Sequence, residues 1–107
     1  MHLLAAQPSS IEHGDEAVDL SQSPGNIIFA SAADTELACL ARAETDRNAP
    51  SLRLANLLSL GHNLSIDNWI ETTVRHSQLV IIRLLGGITY WPYGVEQLTE
   101  ICKNNNI

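Results

Sequence analysis

The sequence has 107 residues, of which 45% are hydrophobic, and a formal net charge of −6 at pH 7. This length suits one domain, and the hydrophobic content is that of a globular core, so wholesale disorder is excluded. No Lys or Arg precedes Arg42, whereas six acidic residues do. We therefore expect neither nucleic acid nor an anionic membrane as a partner, because their phosphates would be repelled.

The first 25 residues form a lead-in. Residues 2–7 predict a short strand that Pro8 closes, and residues 9–25 predict a surface loop because they are rich in Ser, Gly, Pro and acidic side chains. The apolar runs are too short to span a bilayer, and the opening residues do not form a secretion signal, so we expect a cytoplasmic protein.

Regular structure is predicted from residue 26 onward. Short apolar runs at 27–30, 51–56 and 79–82 are typical of strands covered on both faces. Helices are expected after each strand. The first is capped by Asp34 and reaches Arg47, the second is capped by Ser65, and the third spans about 94–103.

Each predicted helix has an apolar stripe. The inward residues are expected to be Leu37, Leu40 and Ala41 in the first helix, Ile66, Trp69, Ile70, Thr73 and Val74 in the second, and Val95, Leu98, Ile101 and Cys102 in the third. Residues 1–107 therefore form one α/β segment, with 26–107 as βαβαβα. This order predicts a three-layer parallel sheet of the Rossmann or flavodoxin-like class, with right-handed crossovers.

The predicted sheet is incomplete at its C-terminal edge. Three or four parallel strands leave an apolar edge uncovered, and Ile107 resembles the first residue of a further strand. We therefore expect the native protein to continue past Ile107, so that the chain is a truncated N-terminal part of a larger protein.

No catalytic residue and no metal site is predicted. The four histidines share no ligand spacing, and Cys39 and Cys102 are expected to be buried free thiols in a reducing compartment. The sequence contains no phosphate-binding loop, no nucleophile elbow and no paired catalytic carboxylates. We therefore expect no cofactor to be bound by this segment.

Ligands of parallel sheets bind outside the carboxyl ends of the strands, which nominates the loops at 31–35, 57–62 and 85–93. His62 lies in the second loop and is a candidate contact. Arg53 and Arg83 interrupt apolar strands, so each must be paired or must reach a cleft. One reading is a structural pair with Asp34 or Glu36. The other is that Arg83 binds a carboxylate-bearing ligand.

Three of the five aromatic residues lie in the run from Tyr90 to Tyr93. Trp91 and Tyr93 are placed to stack on a flat macrocycle or to pack against another domain. Packing against another domain is favoured, because a loop this apolar needs a cover.

Four sequence segments resemble the N-terminal region of the cobaltochelatase large subunit family (the CobN type), and residues 1–8 are also similar. They are 32–38 (Ala-Ala-Asp-Thr-Glu-Leu-Ala), 51–58 (Ser-Leu-Arg-Leu-Ala-Asn-Leu-Leu), 83–87 (Arg-Leu-Leu-Gly-Gly) and 90–94 (Tyr-Trp-Pro-Tyr-Gly). The resemblance covers essentially the whole chain, in order. Gly61 and Asn63 depart from the family pattern, which favours a basic residue before His62 and a proline after it.

This resemblance implies an ATP-dependent ligase of cobalamin biosynthesis that inserts cobalt(II) into a corrin ring, hydrogenobyrinic acid a,c-diamide. The large subunit, related to the porphyrin-binding subunit of magnesium chelatase, would hold the macrocycle. AAA+ partner subunits would use ATP and magnesium. The implied partners of this segment are the remainder of the large subunit, the AAA+ subunits and the macrocycle.

The segment itself would contribute walls and anion-pairing side chains, for which the candidates are Arg53, Arg83, Trp91, Tyr93 and His62. Two alternatives remain open: a stand-alone, non-catalytic α/β binding or interaction module, and the product of a disrupted chelatase gene with no function of its own.

Overall fold

The computed structural model describes residues 17–44 and 48–107. The strands and helices are β1 (Ile27–Ser31), α1 (Asp34–Ala43), β2 (Leu52–Asn56), α2 (Asn63–Thr72), β3 (Leu79–Arg83) and α3 (Pro92–Asn105). Three short 3-10 turns join them, at Leu57–Leu60, Val74–His76 and Ile88–Tyr90. The predicted alternation of strand and helix is confirmed. The predicted strand at 2–7 lies outside the described residues.

The three strands form a parallel sheet in the order β2-β1-β3. Because β1 is central, the crossover from β1 to β2 and the crossover from β2 to β3 run in opposite directions across the sheet. Right-handed connections then place α1 on one face and α2 on the other. The packing agrees, since α1 contacts β1 and β2 while α2 contacts α3. The predicted α/β class with an incomplete parallel sheet is confirmed.

The hydrophobic core lies on one side of the sheet. Ile28, Ala30 and Ala55 turn toward α2 and α3, and they are buried together with the apolar side chains of those helices and their connecting turns, namely Leu57, Leu60, Ile66, Trp69, Val74, Trp91 and Leu98. On the opposite face Phe29 is half-buried, and no residue of α1 is buried. Apolar burial therefore stabilises mainly the α2–α3 side of the fold.

Helix α1 differs from its sequence prediction at both ends. Ala33 rather than Asp34 is the N-cap, and its side chain makes no capping bond. The helix ends at Ala43, where the N–H of Glu44 donates to the carbonyl of Leu40, so it does not reach Arg47. Arg47 itself lies outside the described residues. The carboxylate of Asp34 instead accepts a hydrogen bond from a neighbouring strand, which removes it from the capping role.

The predicted inward stripe of α1 is only partly correct. Leu37 and Leu40 are half-buried, but Ala41 is exposed. The expectation of two buried thiols is wrong for Cys39, which is exposed, whereas Cys102 is half-buried. The exposure of Cys39 follows from the position of α1, which contacts β1 and β2, because Cys39 lies on the flank toward β3 and lines an open groove there. Ala41 is on the other flank of the helix, two residues or about 200° around from Cys39.

The N-cap of helix α2 is His62, not Ser65 as the sequence predicts. The Nδ1 atom of His62 accepts a hydrogen bond from the N–H of Leu64 at 3.0 Å. Ser65 is buried, and its hydroxyl accepts a bond from the N–H of Val18 at 2.7 Å. The predicted apolar face is confirmed, since Ile66 and Trp69 are buried in the core.

Gln22 ties the lead-in segment to β2 and α2. Its side-chain amide donates to the carbonyl of Leu54 at 2.8 Å, and its side-chain oxygen accepts from the indole N–H of Trp69 at 3.2 Å. The backbone carbonyl of Gln22 accepts a bond from the hydroxyl of Thr73 at 2.6 Å. The lead-in therefore crosses the outer edge of β2 and seals that side of the core.

Trp91 anchors α3 to the core. Its side chain is 3% exposed, and its indole N–H donates to the carbonyl of Leu60 at 2.9 Å. Pro92 follows at the first helical position, where its missing N–H costs nothing. Gly94 is buried against the indole, and a Cβ at this position would lie 2.2 Å from the ring.

We predict that Gly94→Ala destabilises the chain. Alanine is the better helix former by about 1 kcal/mol, so without the indole contact the substitution would stabilise α3. Overpacking against Trp91 should instead lower the free energy of unfolding by about 1–3 kcal/mol. Urea denaturation measures the difference. Glu96→Ala, on an exposed position of the same helix, is the control, and a stability gain from Gly94→Ala would contradict the packing of Trp91.

Candidate functional site

Each of the three strands ends on a polar residue. Ser31, Asn56 and Arg83 are the last residues of β1, β2 and β3, and they are in register with one another. Because side chains alternate along a strand, residues in register point to the same face, here the face that carries α1. Arg83 is one of the predicted site residues, and Ser31 begins the nominated loop at 31–35. Asn56 was not predicted, although a polar residue closing each apolar strand was the available signal.

The first turn of α1 supplies the partners of this polar row. Glu36 uses both carboxylate oxygens: Oε1 accepts from the hydroxyl of Ser31 at 2.6 Å, and Oε2 lies 2.8 Å from Nε of Arg83. Asp34 accepts from the side-chain amide of Asn56 at 2.6 Å. The two carboxylates also lie in the first turn of α1, at the positive end of the helix dipole. Two acidic side chains thus join all three strands at one edge.

Arg83 is the residue of this row whose side chain keeps N–H groups available for a ligand. Its side chain is 56% exposed, and its contact within residues 17–44 and 48–107 is the ion pair between Nε and Glu36. A groove of about 380 Å³ lies beside it, lined by Phe29, Glu36, Leu40 and neighbouring residues. Two guanidinium nitrogens beside an open groove can hold a carboxylate in the bidentate geometry that arginine favours. The structural pair predicted for Arg83 is present, with Glu36.

Arg53 lies on the opposite face of the sheet and is not paired with a carboxylate. It is in register with Ile28. Its Nε donates to the carbonyl of Ser23 at 2.9 Å and its Nη2 to the hydroxyl of Ser23 at 3.2 Å. Its aliphatic part packs on Gly25, where a Cβ would come within 2.6 Å. Arg53 therefore holds the lead-in against β2, and the structure does not bring it together with Arg83.

The aromatic run is divided between core and surface. Trp91 is covered by its own chain, so its ring is not placed to stack on a macrocycle and needs no cover from another domain. The apolar exposure in this loop lies instead at Leu85 and Ile88. Tyr93 is half-buried, and its hydroxyl donates to Asp67 at 2.8 Å. That hydrogen bond, with smaller effects of desolvation and of nearby negative charge, raises the pKa of Tyr93.

His62 has a structural role as the cap of α2. Within the part of the chain that the structure describes, no group of three or more His, Cys, Asp or Glu side chains could hold a metal ion. No helix in those residues is long and apolar enough to cross a membrane.

The chain is similar in sequence to two curated proteins, both named aerobic cobaltochelatase subunit CobN. It is 50% identical over 99 residues to the protein from Sinorhizobium sp and 39% identical over 105 residues to the protein from Pseudomonas aeruginosa. These matches cover 92% and 96% of this chain but 8% of each relative. No protein-family model and no solved structure matches. The resemblance predicted from the sequence is confirmed: the chain is homologous to a short segment of the CobN subunit.

We predict that Asp67→Ala lowers the pKa of Tyr93 toward its ordinary value of 10.0. The substitution removes both the hydrogen bond to the neutral phenol and the negative charge that opposes its ionisation. Titration of the tyrosinate ultraviolet absorbance in a Tyr90→Phe background isolates Tyr93. Glu71→Ala, on the exposed side of the same helix, is the matched control. An unchanged titration of Tyr93 in Asp67→Ala would contradict the contact.

Proposed function

We propose that the chain is a structural α/β segment of the CobN subunit of an aerobic cobaltochelatase. The observation that supports this best is 50% identity over 92% of the chain, because the match extends over nearly all of its length. The chain covers only 8% of the relative's length. The reaction therefore belongs to the longer protein, and this segment contributes to its architecture.

The proposed reaction is insertion of cobalt(II) into a corrin ring. ATP and magnesium would be used by AAA+ partner subunits, in the cytoplasm, and the macrocycle would be held by the large subunit. Such an enzyme has to deform the ring, remove water from the metal and accept two pyrrolic protons. We assign Glu36 to the scaffold, since both of its oxygens are engaged by Ser31 and Arg83 within the fold.

Arg83 is the residue through which the segment would touch an anionic group. Its Nε is fixed by Glu36, which orients the guanidinium, and the rest of its fork faces an open groove. Corrin precursors carry carboxylates, and a fixed guanidinium binds a carboxylate with charge-assisted hydrogen bonds. Arg53, Trp91 and His62 are engaged within the fold, so we assign them to the scaffold and keep Arg83 as the contact.

The test is a chimera in which this chain replaces the matching segment of the Pseudomonas aeruginosa CobN subunit. We expect the chimera to retain cobalt-chelating activity with its partner subunits, and deletion of the segment to abolish it. A chimera that is folded and assembles with its partners but does not insert cobalt would contradict the proposed function.

Arg83→Ala in the same chimera tests the contact. Loss of one charge-assisted pair should raise the KM for the corrin about tenfold with little change in kcat. Arg42→Ala removes an exposed cation from the far end of α1 and is the matched control. Equal KM values for the two variants would contradict the role of Arg83 while leaving the scaffold role intact.

A further inference from the structure

The two outer edges of the sheet differ in their hydrogen bonding. At the outer edge of β2, the N–H of Leu52 donates to the carboxylate of Glu44 at 2.8 Å, and the carbonyl of Leu54 accepts from Gln22 at 2.8 Å. At the outer edge of β3, no hydrogen bond is found within the described ranges. Proteins normally block a free strand edge with charge, proline, a bulge or a covering segment, because it otherwise recruits another strand. The edge of β2 is blocked and that of β3 is not.

The face of β3 toward α3 borders an unfilled apolar groove of about 400 Å³. Val80 and Ile82 form its floor, and Val95, Leu98 and Cys102 of α3 form one wall. The groove is open on the side away from β1. Its apolar lining beside a free strand edge fits the side chains of one more strand, which would pack under α3 as Val80 and Ile82 do.

The other face of β3 has no cover in the described structure. Leu79 is 48% exposed and Ile81 is 44% exposed, because α1 packs over β1 and β2. Parallel sheets are covered by helices on both faces, which is why their strands are apolar throughout. A strand added beside β3 would leave these two side chains in water, so a helix on the α1 face is needed as well.

The handedness of the connections points to the same edge. The crossover from β2 to β3 passes over β1 through α2, and α3 packs beside α2 on the same face. A right-handed crossover through a helix on this face moves in the same direction across the sheet. A strand that follows α3 therefore reaches the outer side of β3. Ile107 already lies in the wall of the groove, where its N–H closes α3 by donating to the carbonyl of Cys102 at 2.9 Å.

We propose that the outer edge of β3 receives a parallel β-strand from the remainder of the CobN subunit, and that a helix of that same region covers Leu79 and Ile81. The source of the strand rests on the proposed function. The chain covers 8% of each curated relative, so each relative is more than ten times as long as this chain. The location of the docking edge rests only on the structure.

A second copy of the chain fits this surface less well. Two copies joined at β3 as a continuous antiparallel sheet are related by a two-fold axis perpendicular to the sheet. That axis keeps both α1 faces on the same side. The exposed Leu79 and Ile81 of one copy would then join those of the other and enlarge the uncovered apolar patch, which is unfavourable in water.

Ile81→Glu tests the proposal, with Ala43→Glu as the control at an exposed position of α1. In the isolated chain both variants should still fold, because Ile81 is 44% exposed and Ala43 is exposed. In the chimeric subunit, Ile81→Glu should place an unpaired charge under a helix and reduce the yield of folded, protease-resistant subunit by more than about tenfold. Ala43→Glu should have no such effect.

Hydrogen exchange in the chimeric subunit provides a measurement that does not depend on the variants. The β3 amides that do not bond to β1 should be protected in the subunit and exchange freely in the isolated chain. Rapid exchange of those amides in an active chimera would overturn the docking proposal without touching the proposed function. A dimer of the isolated chain that protects these amides and is abolished by Ile81→Glu would also overturn it, by assigning the edge to a second copy.

Discussion

Strand β1 is the element on which the remaining structure depends, because it is the only one of the three described strands that is paired on both sides. Its register with β2 and β3 aligns Ser31, Asn56 and Arg83 at one edge and places Ile28 and Ala30 in the core. The crossover from β1 to β2 puts α1 on one face, and the crossover from β2 past β1 to β3 puts α2 on the other. Burial and polar bonding are thereby separated: the α2–α3 face carries the hydrophobic core, and the α1 face carries the network around Glu36.

This separation is the physical basis on which we propose a supporting role for the segment. Glu36 and Asp34 hold the ends of the strands to the first turn of α1, so their carboxylates are used within the fold. What remains available is one guanidinium beside a groove at the carboxyl edge, where ligands of parallel sheets are bound. We propose a different purpose for the free edge of β3, which is to continue the sheet into a longer protein.

The sequence predicted the order of strands and helices because continuous apolar runs and helical stripes are strong local signals. It also predicted the free edge and the pairing of Arg83 with an acidic residue. Its errors arose where two local signals competed: Ser65 is the better cap by residue type, but tertiary packing buried it and left His62 at the start of α2. The exposure of Cys39 could not be foreseen, since it depends on which strands α1 covers. The contact of Ser31 with Glu36 and the place of Asn56 in the polar row depend on tertiary packing and register, which no single segment encodes.

The most direct test of this account is the structure of a full-length CobN subunit that contains this segment, determined at a resolution that separates strands. The account predicts a fourth strand parallel to β3 on its outer side, a helix over Leu79 and Ile81, and an outer edge of β2 still blocked by Gln22 and Glu44. A sheet that ends at β3 with that edge in solvent, or one that is extended beside β2, would contradict it.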